Sequence, residues 1–191
     1  MIENILNEKN ILLPAAPQKG GLYAPSKSFG KYALMYVSGC GCNIDGEEIG
    51  VGKLGKEYTT EQGQIWARNC MLNVLAVLKR DLGSLDRIKS FDKITVFVAS
   101  ADEFYEQPQV ANGATALLQE VFGDEVGLPT RSAIGVNVLP GNIPVEIEAL
   151  VSYEYLTHRT ERLFSSEYGL PRLCAGDGEN YHARCLSGFA S

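Results

Sequence analysis

Residues 131–151 run RSAIGVNVLPGNIPVEIEALV, and the way this stretch pairs decides the fold. Apolar and polar residues alternate on both sides of Leu139-Pro140, the period of half-buried strands. A tight loop near Gly141 predicts a hairpin. On that reading Ile134, Val136 and Val138 share a face with Val145, Ile147 and Ala149 and form the underside of a helical layer. Arg131, Ala133, Gly135 and Asn137 then point the other way, with Glu146, Glu148 and Leu150. An arginine and two carboxylates on one face fit a solvated surface, a structural ion-pair row or the polar wall of a site. Register separates the charges. Glu146 pairs near Asn137, which leaves Arg131 about 20 Å away along the hairpin at the usual strand rise. One chain would not bring the two together, and a shared site would need an adjacent subunit.

Upstream, KYALMYVSG from Lys31 and KITVFV from Lys93 read as strands, rich in aromatic and β-branched residues. CGCNIDGEEIGVGKLG between them carries turn chemistry at Asp45-Gly46 and reads as a loop with a short strand. Thr59-Thr60-Glu61-Gln62 is a capping box, with Thr59 as cap and Gln62 three residues on. Met71, Leu75, Leu78 and Leu82 follow at helical spacing, beside Ile65, Leu72 and Ala76, and Gly83 is a natural stop. Trp66 reads as packing, since an indole buries a large apolar area. A second helix starts at Pro108, with Val110, Ala114, Leu117 and Val121 on one stripe and Gly123 as its end. Two helices with one apolar stripe each suit an α+β domain carrying both on one face of the sheet. The other face must meet solvent, the C-terminal tail or another subunit.

With 191 residues, 45% of them hydrophobic, the chain can bury a full core. Its net charge of −6 counts against nucleic acid as a partner, because backbone binding relies on clustered Lys and Arg, and no basic cluster is longer than Lys79-Arg80. The N-terminus lacks the basic start and apolar run of a signal peptide, and no apolar run approaches membrane-spanning length. The expectation is a soluble, cytoplasmic protein. The five cysteines, Cys40, Cys42, Cys70, Cys174 and Cys185, form neither a redox pair nor a zinc knuckle, and only two histidines are present. They read as buried thiols, with no metal.

The combination of Arg131-Ser-Ala, Leu139-Pro140 and Val145-Glu-Ile-Glu-Ala149 resembles the signature of the YjgF/RidA family of reactive imine and enamine deaminases, also known as endoribonuclease L-PSP-like proteins. The likeness extends back through Lys93–Val98, the Thr59–Leu82 helix and Ser38-Gly39. Segments Gly83–Arg87 and Asn112–Ala114 point to the family's longer branch. It covers roughly residues 20 to 152 of the chain. It implies one chorismate-mutase-like domain over 1–152, assembled as a homotrimer with mixed sheets facing inward and sites between subunits. Residues 153–191 are then a C-terminal extension of unassigned role. Its Cys174, Gly176-Asp177-Gly178, His182 and Cys185 read as a loop packing over the domain or a neighbour rather than a metal centre.

The resemblance also implies hydrolysis of 2-imino acids, of the 2-iminobutanoate and 2-iminopropanoate type, to 2-keto acids and ammonia without cofactor or metal. Arg131 would hold the substrate carboxylate, a role suited to a planar guanidinium. Glu146 would activate water as general base. The backbones of Ala133 and Gly39 would fix the imine end, and Ser38 and Tyr23 would hydrogen-bond substrate or water. Ala133 stands where many members carry cysteine, and Cys40 where glutamine is common. Two other functions use the same residues or the family's name: a regulatory protein that binds 2-keto acids without turnover, and a ribonuclease or translation inhibitor. The acidic balance and the scarcity of stacking surfaces count against the last.

Overall fold

The computed structural model describes residues 1–30, 33–47 and 50–155. The C-terminal extension therefore lies outside the described residues from 156 onward, Cys174, His182 and Cys185 included. The elements are α1 (Ile2–Glu8), β1 (Ser26–Ser28), β2 (Leu34–Gly41), α2 (Thr60–Leu82), β3 (Ile88–Ala99), α3 (Gln107–Gly127), β4 (Thr130–Val136) and β5 (Val145–Tyr153). The strands make one mixed sheet in the order β1-β2-β5-β3-β4. Only β3 and β4 run parallel, because α3 carries the chain back over the sheet between them.

The predicted hairpin does not form. β5 pairs antiparallel with both β2 and β3, so β3 lies between β4 and β5. Residues 137–144 cross the end of β3, where Ala99 N–H donates to Pro144 O and Ser100 N–H donates to Val136 O. A strand–helix–strand unit places its second strand beside its first, and that preference prevails over the short loop.

The capping box at the start of α2 is present. Thr59 Oγ1 accepts from Gln62 N–H, and Thr59 N–H donates to Gln62 Oε1 at 3.0 Å. Gly83 closes the helix at φ 80°, its N–H donating to Lys79 O. Met71, Leu75 and Leu78 are fully buried with Ile94, Val96, Ile147 and Ala149 of the sheet, each of the larger side chains contributing about 1.5–3 kcal/mol. Trp66 packs edge-on against Tyr58, ring centroids 4.3 Å apart. Ile65, placed beside the stripe, is instead 59% exposed. Gly123 breaks α3 (φ 73°, ψ −179°) but does not end it, since a further turn reaches Gly127.

α2 and α3 cross at Gly113, where a Cβ would lie 2.0 Å from the backbone oxygen of Gln64. No side chain fits there, and the close crossing sets how α3 sits over β4. A third helix, α1, adds Leu6 to the core beside the two that were expected. Along β5, Val145, Ile147, Ala149 and Val151 face the helices, while Glu146, Glu148, Leu150 and Ser152 face the open side. No helix of the described residues is long and apolar enough to cross a membrane.

Candidate functional site

Glu146 sits opposite Gly41 of β2 and Phe97 of β3. Between Val37 and Cys40 the β2 register slips against β5, a bulge at Ser38-Gly39. The bulge brings the Gly39 backbone beneath the Glu146 side chain. A Cβ on Gly39 would stand 2.0 Å from Glu146 Oε1, 2.8 Å from Cδ and 3.1 Å from Cγ. Glycine here is a steric requirement of the carboxylate. Lys19, Tyr23, Ser38, Gly39, Cys40 and Glu146 line a cavity of about 190 Å³ at this point.

Ser38 and Tyr23 at the cavity are tied back. Ser38 Oγ donates to Ala24 O at 2.8 Å, and Ser38 N–H donates to Pro25 O. Tyr23, about half exposed, accepts at its hydroxyl from Gly20 N–H. Asn73, buried on α2, donates to Gly41 O at 2.9 Å and Asn43 O at 2.7 Å and so pins the chain just past the bulge. The Glu146 carboxylate has no hydrogen bond or ion pair among the described residues. Burial, and then the charge of Glu148, push its carboxyl above the ordinary value of 4.5. Burial, then the Glu146 charge, pushes the Cys40 thiol up to about 12, so it remains neutral. Cys42 and Cys70 are likewise buried free thiols.

Arg131 and Ala133 stand elsewhere. Parallel pairing sets Arg131 beside Ile94 and Ala133 beside Val96, both buried under the helices. Arg131 Nη1 donates to Asn112 Oδ1 at 2.9 Å and to Thr115 Oγ1 at 3.2 Å, both on α3. Ser132 and Ile134 take the open side instead: Lys93 Nζ donates to Ser132 Oγ, and Ile134 is 43% exposed. The expected facing of β4 is therefore reversed. Within one chain Arg131 and Glu146 lie on opposite faces of the sheet, with β3 between their strands. They do not meet, as register had already required, but the reason is the sheet order rather than distance along a hairpin.

Arg131 has no carboxylate partner among the described residues, and burial lowers its pKa from the usual 12.5. Asn112 and Thr115, the acceptors of Arg131, were not singled out in the sequence. The signal was the Asn112-Gly113-Ala114 segment, which proves to combine an arginine acceptor, the helix crossing and a buried alanine. Lys19 was also passed over. A broader, shallower depression of about 630 Å³, between residues 55–61 and 103–106, holds none of the singled-out residues. No group of three His, Cys, Asp or Glu among the described residues is placed to hold a metal ion.

Residues 4–151 match the model of the family described as "YjgF/chorismate mutase-like, putative endoribonuclease". The chain is 40% identical over 153 residues to Protein TCP17 of Trypanosoma cruzi, covering 76% of this chain and 90% of that one. It is 28% identical over 145 residues to a 2-iminobutanoate/2-iminopropanoate deaminase of Dermatophagoides farinae, covering 75% and 95%. The crystal structure of the Agrobacterium tumefaciens protein Atu1372 superposes with a TM-score of 0.73 at 37% identity, over 80% of this chain and 92% of that one.

Proposed function

The chain belongs to the YjgF/chorismate mutase-like family, and on that footing we propose that it hydrolyses reactive 2-imino acids to 2-keto acids and ammonia at sites shared between the subunits of a homotrimer. The observation that carries this reading is the state of Glu146. It is a part-buried carboxylate with a raised pKa and no donor partner among the described residues, held over a glycine at the wall of a small cavity. Structural carboxylates are paired; general bases are kept free and poised toward neutral pH. The deaminase relative supports the choice of reaction.

Glu146 takes a proton from water as the water oxygen bonds to C2 of the protonated imine. The carbon–nitrogen π pair moves to nitrogen, giving a tetrahedral aminoalcohol. Proton return from Glu146 to that nitrogen, and transfer of the hydroxyl proton to the carboxylate so freed, break the carbon–nitrogen bond and release ammonia and the keto acid. The backbone of Gly39 and of a neighbouring subunit's Ala133 hold the imine end, and Ser38 and Tyr23 fix the water. Arg131 of that neighbouring subunit binds the substrate carboxylate, because its own chain carries it on the wrong face for Glu146. The open face supplies the surface for such an assembly: Tyr36 and Ile134 are exposed there, and Phe97 and Leu150 are half-buried without a covering layer among the described residues. No cofactor or metal enters these steps.

The test is ammonia and keto-acid release from a 2-imino acid generated in the assay by an amino-acid oxidase. The wild-type protein accelerates release over buffer, and Arg131→Ala and Glu146→Gln abolish the acceleration. Equal rates for wild type and Arg131→Ala would reject the reading. Keto-acid binding without turnover would make the chain a carboxylate-binding protein instead.

A further inference from the structure

Resting on the role proposed for Arg131, we infer that Asn112 and Thr115 of α3 are positioning residues that aim one edge of the guanidinium at the substrate carboxylate while leaving its charge unspent. A guanidinium has five N–H donors, two of them on Nη1. Asn112 Oδ1 and Thr115 Oγ1 both accept from Nη1, at 2.9 and 3.2 Å. These two acceptors match that nitrogen's two hydrogens. Nε and Nη2 make no hydrogen bond among the described residues, and together they form the planar fork that grips a carboxylate through two parallel bonds.

The chemistry of the two acceptors matters as much as their place. An arginine can be held still by a carboxylate more strongly than by an amide and a hydroxyl. A resident carboxylate, however, would compete with the incoming one for the same charge. Neutral acceptors orient the group and leave the full positive charge for the ligand. The Thr115 hydroxyl is itself fixed, and so is the backbone that carries Asn112. Thr115 Oγ1 shares its one hydrogen between Asn112 O at 3.3 Å and Ala111 O at 3.5 Å, which leaves its lone pairs to accept from Arg131. Asn112 stands one residue before Gly113, the point where α3 meets the backbone of α2. The helix crossing thereby sets the arginine's aim.

The discriminating change is Asn112→Asp, which keeps the shape and converts the acceptor into a competing anion. The account predicts a KM for the imino acid raised about 10-fold or more, with kcat within about 3-fold of wild type, since a hydrogen bond to a charged group accounts for an effect of this order. The melting temperature holds or rises, because the new ion pair strengthens the fold locally. Thr115→Val raises KM about 3-fold by removing one acceptor without adding charge. A residue that merely supported the fold would lower stability and kcat together and would not oppose the two readouts. Pyruvate binding measured by calorimetry on the same proteins gives the second readout: affinity falls in the same order, wild type, Thr115→Val, Asn112→Asp. Unchanged KM and pyruvate affinity in Asn112→Asp, with Arg131→Ala still inactive, would overturn this inference alone. Wild-type protein that neither binds pyruvate nor turns over imine would overturn it together with the proposed function.

Discussion

Replacing Gly39 by alanine tests how closely the bulge and the carboxylate are fitted. Gly39 does not carry a positive φ, so alanine fits the backbone there and the substitution acts through contact alone. The added Cβ would meet Glu146 Oε1 at 2.0 Å and Cδ at 2.8 Å. Ordinary contact needs about 3.5 Å, so the carboxylate must withdraw by about 1.5 Å. Within one chain the side chain lies on the face of the sheet that no described helix covers, and it can swing outward into the adjoining cavity. The fold therefore loses little, about 1 kcal/mol, the low end for overpacking, or a melting shift of about 2–4 °C for a domain of this size. Catalysis loses more, since a displacement of about 1 Å at a reacting group lowers rate by about 100-fold. The assay is kcat/KM for imine hydrolysis beside thermal melting, in wild type and Gly39→Ala, with Glu146→Gln as the inactive floor. A Gly39→Ala protein with undiminished kcat/KM would refute the reasoning.

Glu146→Gln should stabilise the fold at neutral pH. The folded-state pKa lies above the unfolded one, so the native protein binds that proton more tightly and loses stability as pH rises through this window. The gain from glutamine is absent below the ordinary carboxylate range, grows as pH climbs to the raised folded value and is level above it. Melting curves across pH 3 to 8 that show no such divergence would contradict the assigned shift. The acid limb of wild-type kcat/KM should fall at a pH above the normal glutamate value of 4.5 for the same reason. Asn73→Ala removes the donor to Gly41 O and Asn43 O in a buried setting. It should cost about 1–3 kcal/mol in denaturant unfolding and lower activity with it, because those carbonyls anchor the chain that carries the bulge. Activity retained in folded Asn73→Ala would show that the bulge holds its shape unaided.

The faces of β5 were legible from its alternation, and the capping box and apolar stripe of α2 from their spacing. Those are local patterns whose apolar sides face the one core. β4 misled for a physical reason. It is the edge strand, its apolar Ile134 is 43% exposed, and its inward positions hold Arg131, Ala133 and Gly135. Alternation reports two unlike faces and not which of them is inside, and it inverts where apolar residues look outward. The hairpin was suggested by a short loop, whereas the order strand, helix, strand across 88–136 already contained the crossover that seats β4 beside β3. A candidate site could be named from the sequence as a set of residue types through the family likeness. Its geometry could not be read there, because the bulge at Ser38-Gly39 and the seat of Arg131 on Asn112 and Thr115 depend on contacts between segments far apart in sequence.

The central claim is that each site draws Arg131 from one subunit and Glu146 from another, and subunit mixing tests it most directly. Arg131→Ala and Glu146→Gln proteins, each inactive alone, are unfolded together and refolded at equal concentration. In a randomly assembled cyclic oligomer, a site is intact when its arginine comes from the Glu146→Gln chain and its glutamate from the Arg131→Ala chain, so about a quarter of sites should recover. The account predicts imine hydrolysis at about a quarter of the wild-type rate. A mixture as inactive as its two components, with mixed oligomers demonstrated by mass, would contradict it.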